Sequence, residues 1–232
     1  MQRIEPSAEE RAFLEAMRRE ALERIAQLDP ADAKSRFNVL AELTRLRRAA
    51  CDPRLAAPEL GQIGAKVQAF ERLATELVEG RHQALVFSQF TGFLKLLAER
   101  LDACGLRYQV LDGSTPAAQR SERVAAFQRG EADLFLISLK AGGFGLNLTA
   151  ADYVVIADPW WNPAAEDQAM GRAHRIGQQR PVTVYRLVTA GSIEERIVAL
   201  HHDKRELAEG LLAGQESVAP LAASELMELL RD

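Results

Sequence analysis

The sequence predicts an α/β fold: a parallel β-sheet sandwiched between helices. Three observations carry this expectation. Short apolar runs recur at 84–88, 108–111, 134–137, 153–157 and 182–187, with the length and composition of strands buried on both faces. Stretches with helical periodicity separate them, several closed by a glycine such as Gly80, Gly105 or Gly130. The residues with chemical potential, Ser88-Gln89-Phe90, Gly113-Ser114-Thr115, Ser138 to Asn147 and Asp158 to Asn162, all follow an apolar run. In a parallel sheet that places them at one edge, beyond the C-terminal ends of the strands, where ligands bind.

Taken in order, Ser7-Ala-Glu-Glu10 has the form of a capping box, in which hydroxyl and carboxylate satisfy each other's backbone amides. It opens a helix to about Leu28 with Phe13, Leu14, Met17, Ala21 and Ile25 on one stripe. Asp29-Pro30 suits the start of a second helix, which carries Phe37, Leu40, Leu43 and Leu46 inward and ends near Cys51-Asp-Pro53. Its basic residues Arg45, Arg47 and Arg48 fall in the last turns, where cations complement the helix dipole, the alternative being nucleic-acid contact. Residues 54–63 read as a linker. Helices are expected at 65–79, 91–103, 117–129 and 192–212, the last with Ile193, Ile197, Leu200, Leu207 and Leu211 as its stripe, and a short one at 223–231. The expected units are a helical appendage with linker at 1–60, a sheet lobe at 61–191 and brace helices at 192–232.

Composition narrows the function. With 232 residues, 47% of them hydrophobic and 27% charged, the chain can bury a sizeable core and remain soluble. A net charge of −4 is low for a compact nucleic-acid module, so any DNA contact must come from local patches. The two cysteines, Cys51 and Cys104, lie far apart without metal-ligand spacing, which fits a reducing, cytosolic compartment. Four scattered histidines propose no metal site, His201-His202 reads as a solvated helix face, and no apolar run is long enough to span a bilayer.

The stretch from Ser138 to Gln179 concentrates the candidates. Gly142-Gly143-Phe144-Gly145 either cradles phosphate with its backbone amides or is simply a tight turn. Gln168, Arg172 and Arg175 stand at i, i+4 and i+7 and share one helix face. Two guanidiniums on that face suit a phosphoryl group in its transition state, the alternative being solvated surface arginines. His174 between them reads as packing or hydrogen bonding, and one of Trp160 and Trp161 as core with the other presented outward. Ser88, Gly113, Ser114 and Thr115 serve either a ligand or helix caps. There is no G-x-x-x-x-G-K-[ST] string and no Asp-Glu-x-His string, so the parts that hold Mg²⁺ and polarise water for ATP hydrolysis are not in this sequence.

At these residues the sequence resembles the C-terminal helicase lobe of the Swi/Snf family of DNA-dependent ATPases, in helicase superfamily two. Val86-Phe-Ser-Gln-Phe90 resembles motif IV, Leu111-Asp-Gly-Ser-Thr115 the element after it, and Ser138 to Leu148 motif V. Asp158-Pro-Trp-Trp-Asn-Pro163 is similar to the loop that follows, and Gln168 to Gln178 to motif VI with its two arginines. The match is clear from about 81 to 200, and 37–53 is similar to the segment that precedes this lobe. Lys140 and Phe144 depart from the Arg and Leu frequent in the family.

The resemblance implies a RecA-like lobe of a two-lobed, bacterial-type motor whose other, N-terminal lobe supplies the P-loop and most contacts to ATP and Mg²⁺. It implies arginine fingers at Arg175 and Arg172 beside Gln168, and nucleotide contacts at Gly143, Gly145 and Asn147. DNA contacts are implied at Ser88, Gln89, Gly113, Ser114, Thr115, Ser138, Lys140 and Trp161. The implied partners are that second lobe, duplex DNA and a protein target on DNA. The implied location is cytoplasmic and nucleoid-associated, with no ATP hydrolysis by this chain alone. Two other readings stand beside it: a non-catalytic DNA- or protein-binding module, and a complete α/β enzyme with its own small-molecule site.

Overall fold

The structure, a computed structural model, describes residues 1–27, 35–139, 148–161, 163–171 and 180–201. Six parallel strands form its sheet: β1 (Gln2–Ile4), β2 (Ala84–Ser88), β3 (Tyr108–Leu111), β4 (Leu134–Ser138), β5 (Tyr153–Ile156) and β6 (Thr183–Thr189), in the order β1-β6-β5-β2-β4-β3. All five pairings are parallel, so every strand ends on the same edge. Helices α1 (Ala8–Ala26), α2 (Ser35–Cys51), α3 (Ala65–Glu79), α4 (Thr91–Ala103), α5 (Ala117–Gln128) and α6 (Pro163–Met170) surround it.

The strands read as continuous apolar runs because both faces of the sheet are covered. Val86, Leu134, Leu136 and Val155 face one way, onto Phe70, Leu73 and Leu77 of α3 and Phe93, Leu97 and Leu101 of α4. Their neighbours Leu85, Phe87, Phe135, Ile137, Val154 and Ile156 face the other way, onto Phe127 of α5 and Trp160. A third core lies outside the sheet, where Leu14, Met17, Ala21 and Ile25 of α1 meet Val39, Leu43 and Leu46 of α2 and Ile193 and Ile197 of the helix at 193–201.

The helices start and stop where local chemistry directs. The capping box forms: Glu10 N donates to Ser7 Oγ at 3.1 Å and Ser7 N to Glu10 Oε2 at 2.9 Å. The second oxygen of the same carboxylate accepts from Ala65 N at 2.8 Å, and Asp52 Oδ2 accepts from Gly64 N at 3.0 Å. Two side chains of the preceding segment therefore cap α3, whose own N-cap, Gly64, has none to offer.

Several expectations change. The strand β1 is not among the expected strands; it extends the sheet beside β6. The linker holds two short 3₁₀ turns, Pro53–Leu55 and Pro58–Leu60. Phe37, expected inside, is 74% exposed, and Val39 takes the inward position. His201, expected in solvent, is buried and its ring meets the carbonyl of Trp160. The expected helix start at Asp29-Pro30, the glycine turn, the helix face with Arg172 and Arg175, the rest of 192–212 and the helix at 223–231 lie outside the described residues.

Candidate functional site

The C-terminal edge of the sheet collects the loops after β2, β3 and β5, and α2 runs into it from the side. At its centre is Asp158, fully buried two residues past β5. Its carboxylate accepts from the Ser88 hydroxyl, from Gln89 N at 3.1 Å and from the Arg47 guanidinium at 3.3 Å. Burial pushes the Asp158 carboxyl up to about 6, against the opposing pull of the Arg47 charge and the Ser88 hydrogen bond.

Arg47 is the residue the sequence reading missed. It was assigned to the helix dipole, yet its side chain is 1% exposed. Besides Asp158 it donates to Gln89 Oε1 at 2.6 Å and to the Pro159 carbonyl at 2.8 Å. Its guanidinium carbon lies 5.1 Å from the Phe90 ring centroid and 5.3 Å from that of Trp161. A usable signal existed. Arg47 stands four residues after Leu43 and eight after Val39, on the apolar face of α2, where an arginine must find partners.

A second buried pair adjoins it. Lys66 Nζ lies 2.5 Å from Glu194 and donates to the Ala157 carbonyl at 3.3 Å. Glu194 also accepts from Thr189 N at 2.9 Å, while Cys51 Sγ lies 3.7 Å from its Oε1. Burial pushes the Cys51 thiol well up, so it stays a neutral thiol. Farther along the edge, Glu166 of α6 accepts from Trp160 N at 3.1 Å and from Arg186 Nε at 2.8 Å. With Glu166 turned inward, Gln168, two residues on, is exposed on the opposite face of α6.

The loop after β3 is tied by Asp112. Its Oδ1 accepts from Ser114 N at 2.9 Å, Ser114 Oγ at 2.6 Å and Thr115 Oγ1 at 3.2 Å, an Asx-type turn. The Ser114 and Thr115 hydrogen bonds hold the Asp112 carboxyl below its usual range.

The expected DNA-facing residues therefore divide. Gln89, Gly113 and Ser114 are exposed at the edge, with Trp161 half-buried beside them. Ser88, Thr115 and Ser138 are buried, and the Ser88 and Thr115 hydroxyls serve the Asp158 and Asp112 carboxylates. Trp160 is core and Trp161 the outer of the pair. Lys140, Gly143, Gly145, Asn147, Arg172 and Arg175 lie outside the described residues. Among the described residues no group of three or more His, Cys, Asp or Glu could hold a metal ion, and no helix is long and apolar enough to cross a membrane.

Comparison with known proteins shows what this geometry is similar to. Residues 65–177 match the helicase conserved C-terminal domain. The chromatin-remodeling ATPase INO80 of Schizosaccharomyces pombe is 44% identical over 153 residues, 66% of this chain and 10% of that protein. Its Drosophila melanogaster counterpart is 42% identical over 169 residues, 72% of this chain and 10% of that protein. The chain thus spans about a tenth of the length of the curated relatives it matches. The SWI2/SNF2 ATPase core of Sulfolobus solfataricus in complex with dsDNA superimposes with a TM-score of 0.78 at 25% identity, over 99% of this chain and 49% of that one. The C-terminal domain of the same ATPase gives 0.76 at 23% identity, over 99% and 96%. The bacterial-type and cytoplasmic parts of the expectation find no support among these relatives. By residues 65–177 the chain is similar to the helicase conserved C-terminal domain, and its six-stranded parallel fold is that of the SWI2/SNF2 ATPase core.

Proposed function

We propose that this chain is the second lobe of a DNA-dependent ATPase that moves on duplex DNA. The observation that carries the reading is the single edge on which all parallel strands end. Gln89, Gly113, Ser114 and Trp161 stand exposed or half-exposed along it, and Gln168 is exposed near the end of α6. The relatives support it by name: INO80 is a chromatin-remodeling ATPase, and the archaeal core was solved with dsDNA.

In this reading ATP and Mg²⁺ are held mainly by the other lobe. Arg175, with Arg172, reaches across on closure and places positive charge against the γ-phosphoryl oxygens as charge develops there. Gln168 on the same face orients the approach, and Gly143, Gly145 and Asn147 border the nucleotide. Arg47, Asp158 and Glu166 hold the surrounding loops rigid, so little is spent on reorganisation when the lobes meet. Exposed residues of the edge, with Lys140, track the DNA backbone, and cycles of closure advance it. The protein displaced on DNA is not named by these residues; chromatin is the substrate class that the names of the curated relatives suggest.

The test is DNA-stimulated ATP hydrolysis by this chain alone, by a protein containing both lobes, and by that protein with Arg175→Ala. A silent chain, an active two-lobed protein and a loss of about a thousandfold on substitution are expected. Turnover near normal in Arg175→Ala sinks the finger assignment. DNA binding without any ATPase gain from the second lobe favours a non-catalytic binding module.

A further inference from the structure

Arg47 stands between the interior and the exposed edge. It is 1% exposed, so it cannot itself meet a ligand, and it reaches Gln89 and Trp161, which can. A guanidinium carries donors only, so the Gln89 side chain meets it through its oxygen. That fixes the amide: the oxygen is turned inward, and the exposed residue keeps its NH₂ without a protein partner among the described residues. A free glutamine offers oxygen or NH₂ with equal ease, and the oxygen would be repelled by phosphate. The clamped one offers a donor.

We propose that Arg47 is a positioning residue for DNA binding, which clamps the Gln89 side-chain oxygen so that its NH₂ is presented to a phosphate oxygen of the backbone. The same guanidinium, lying against both Phe90 and Trp161, holds the loops after β2 and β5 in one arrangement. Asp158 accepts from Arg47 and from the Gln89 backbone N–H together, so the loop and the clamp share one anchor. Phosphate contacts of this kind position a protein on DNA without reading sequence. The inference rests on reading this edge as a DNA surface.

The test uses this chain, a labelled DNA duplex, and the variants Gln89→Glu, Gln89→Ala, Arg47→Lys and the Arg47→Lys/Gln89→Ala double variant. Gln89→Glu still offers Arg47 an acceptor but has no donor for phosphate. Its melting temperature should hold or rise while duplex affinity falls about tenfold or more. Gln89→Ala and Arg47→Lys should each weaken binding by about threefold to tenfold, and the double variant no further than the weaker single, because Arg47 acts through Gln89. Losses that multiply in the double variant, or an unchanged affinity in Arg47→Lys, overturn the proposal. If Arg47→Lys does not fold, Gln89→Glu decides alone, and unchanged affinity there overturns it.

Failure of the DNA reading looks different: the unsubstituted chain binds no duplex, and the phosphate donor falls with it. Positioning is then read without DNA. Trp160 and Trp161 are the only tryptophans. In a Trp160→Phe background, Arg47→Lys should raise acrylamide quenching of Trp161 at a temperature well below that variant's own melt. Unchanged quenching overturns the clamp itself.

Discussion

Single residues matter most where charge is buried. Lys66 and Glu194 are each 1% exposed at the side chain and meet at 2.5 Å. Removing one leaves the other buried without its partner, so Lys66→Met should cost about 3–5 kcal/mol in urea unfolding. Adding Glu194→Leu should return part of this, less the cost of the orphaned Thr189 N–H. Purely additive losses would mean that the two charges do not compensate each other. Asp158 adds a pH dependence with a definite sign. Its folded-state pKa of about 6 lies above the ordinary 3.8, so between those values the native state holds the extra proton. Stability from this group falls as pH rises from about 4 to 6 and is flat above. The wild type should therefore lose ground to Asp158→Asn across that window, by up to about 3 kcal/mol, in urea unfolding at stepped pH. The groups around Asp158 are Arg47 from α2, Ser88 from β2, Lys66 from α3 and Glu194; the opposite trend would mean that the two cations outweigh burial. Neither ion pair was read from the sequence, because Arg47 with Asp158 and Lys66 with Glu194 are joined only by the tertiary fold. Half of each was legible. Arg47 lies on the apolar face of its helix, and Lys66 stands four residues before Phe70 and seven before Leu73, so both had to be buried.

At the scale of elements, the reading succeeded where local chemistry decides. The helices at 65–79 and 91–103 and the strands at 84–88 and 108–111 agree with the expected bounds, since their apolar period changes sharply at glycines and polar turns. It failed at α2 for a geometric reason. A stripe at 37, 40, 43 and 46 steps by 3 residues, whereas the helix turns every 3.6; across nine residues the drift reaches half a turn. Phe37 therefore lies opposite Leu46. Phe37→Ser should change stability by no more than about 0.5 kcal/mol, whereas Leu43→Ala, at a fully buried position, should cost about 2–5 kcal/mol in the same denaturation experiment. Comparable losses would place the α2 register elsewhere. The strand β1 escaped notice because three residues give no period to read, and its place depends on β6, nearly the whole chain away. The cap of α3 makes a further demand on sequence. A Cβ on Gly64 would sit 2.8 Å from Asp52 Oδ2 and 3.1 Å from Glu10 Oε1, although its φ of −65° suits any residue. Gly64→Ala should thus cost about 1–3 kcal/mol by pushing away the carboxylates that hold α3 and α1 together. A thermal melt checks this, and a stabilised variant would show that the carboxylates move aside freely.

At the scale of the molecule, charge and topology make opposite demands that only a local surface reconciles. A chain with a net charge of −4 meets a polyanion against long-range repulsion. Parallel topology answers by gathering every strand end on one edge, which is why the edge was legible before its contacts were: alternation of apolar runs with helices is enough to imply it. The contacts themselves were not, since a serine at a strand end turns inward, as Ser88 does, only when a carboxylate such as Asp158 is brought up from elsewhere, whereas Ser114 stays exposed beside its neighbour Asp112. Much of the exposed edge is uncharged: Gln89, Gly113, Ser114 and Gln168 offer hydrogen bonds without neutralising phosphate. The salt dependence of duplex binding should record this. Each phosphate neutralised contributes about −0.9 to the slope of log affinity against log salt, so the single cation assigned to DNA here, Lys140, predicts a slope of only about −1 for this chain. Titration with a labelled duplex between about 50 and 200 mM salt would measure it. A slope steeper than about −6 would require a broad basic surface, and the edge would then be a minor part of the DNA site. A shallow slope that Gln89→Ala leaves unchanged while affinity falls would instead identify a contact made by a neutral donor, as the clamped amide requires.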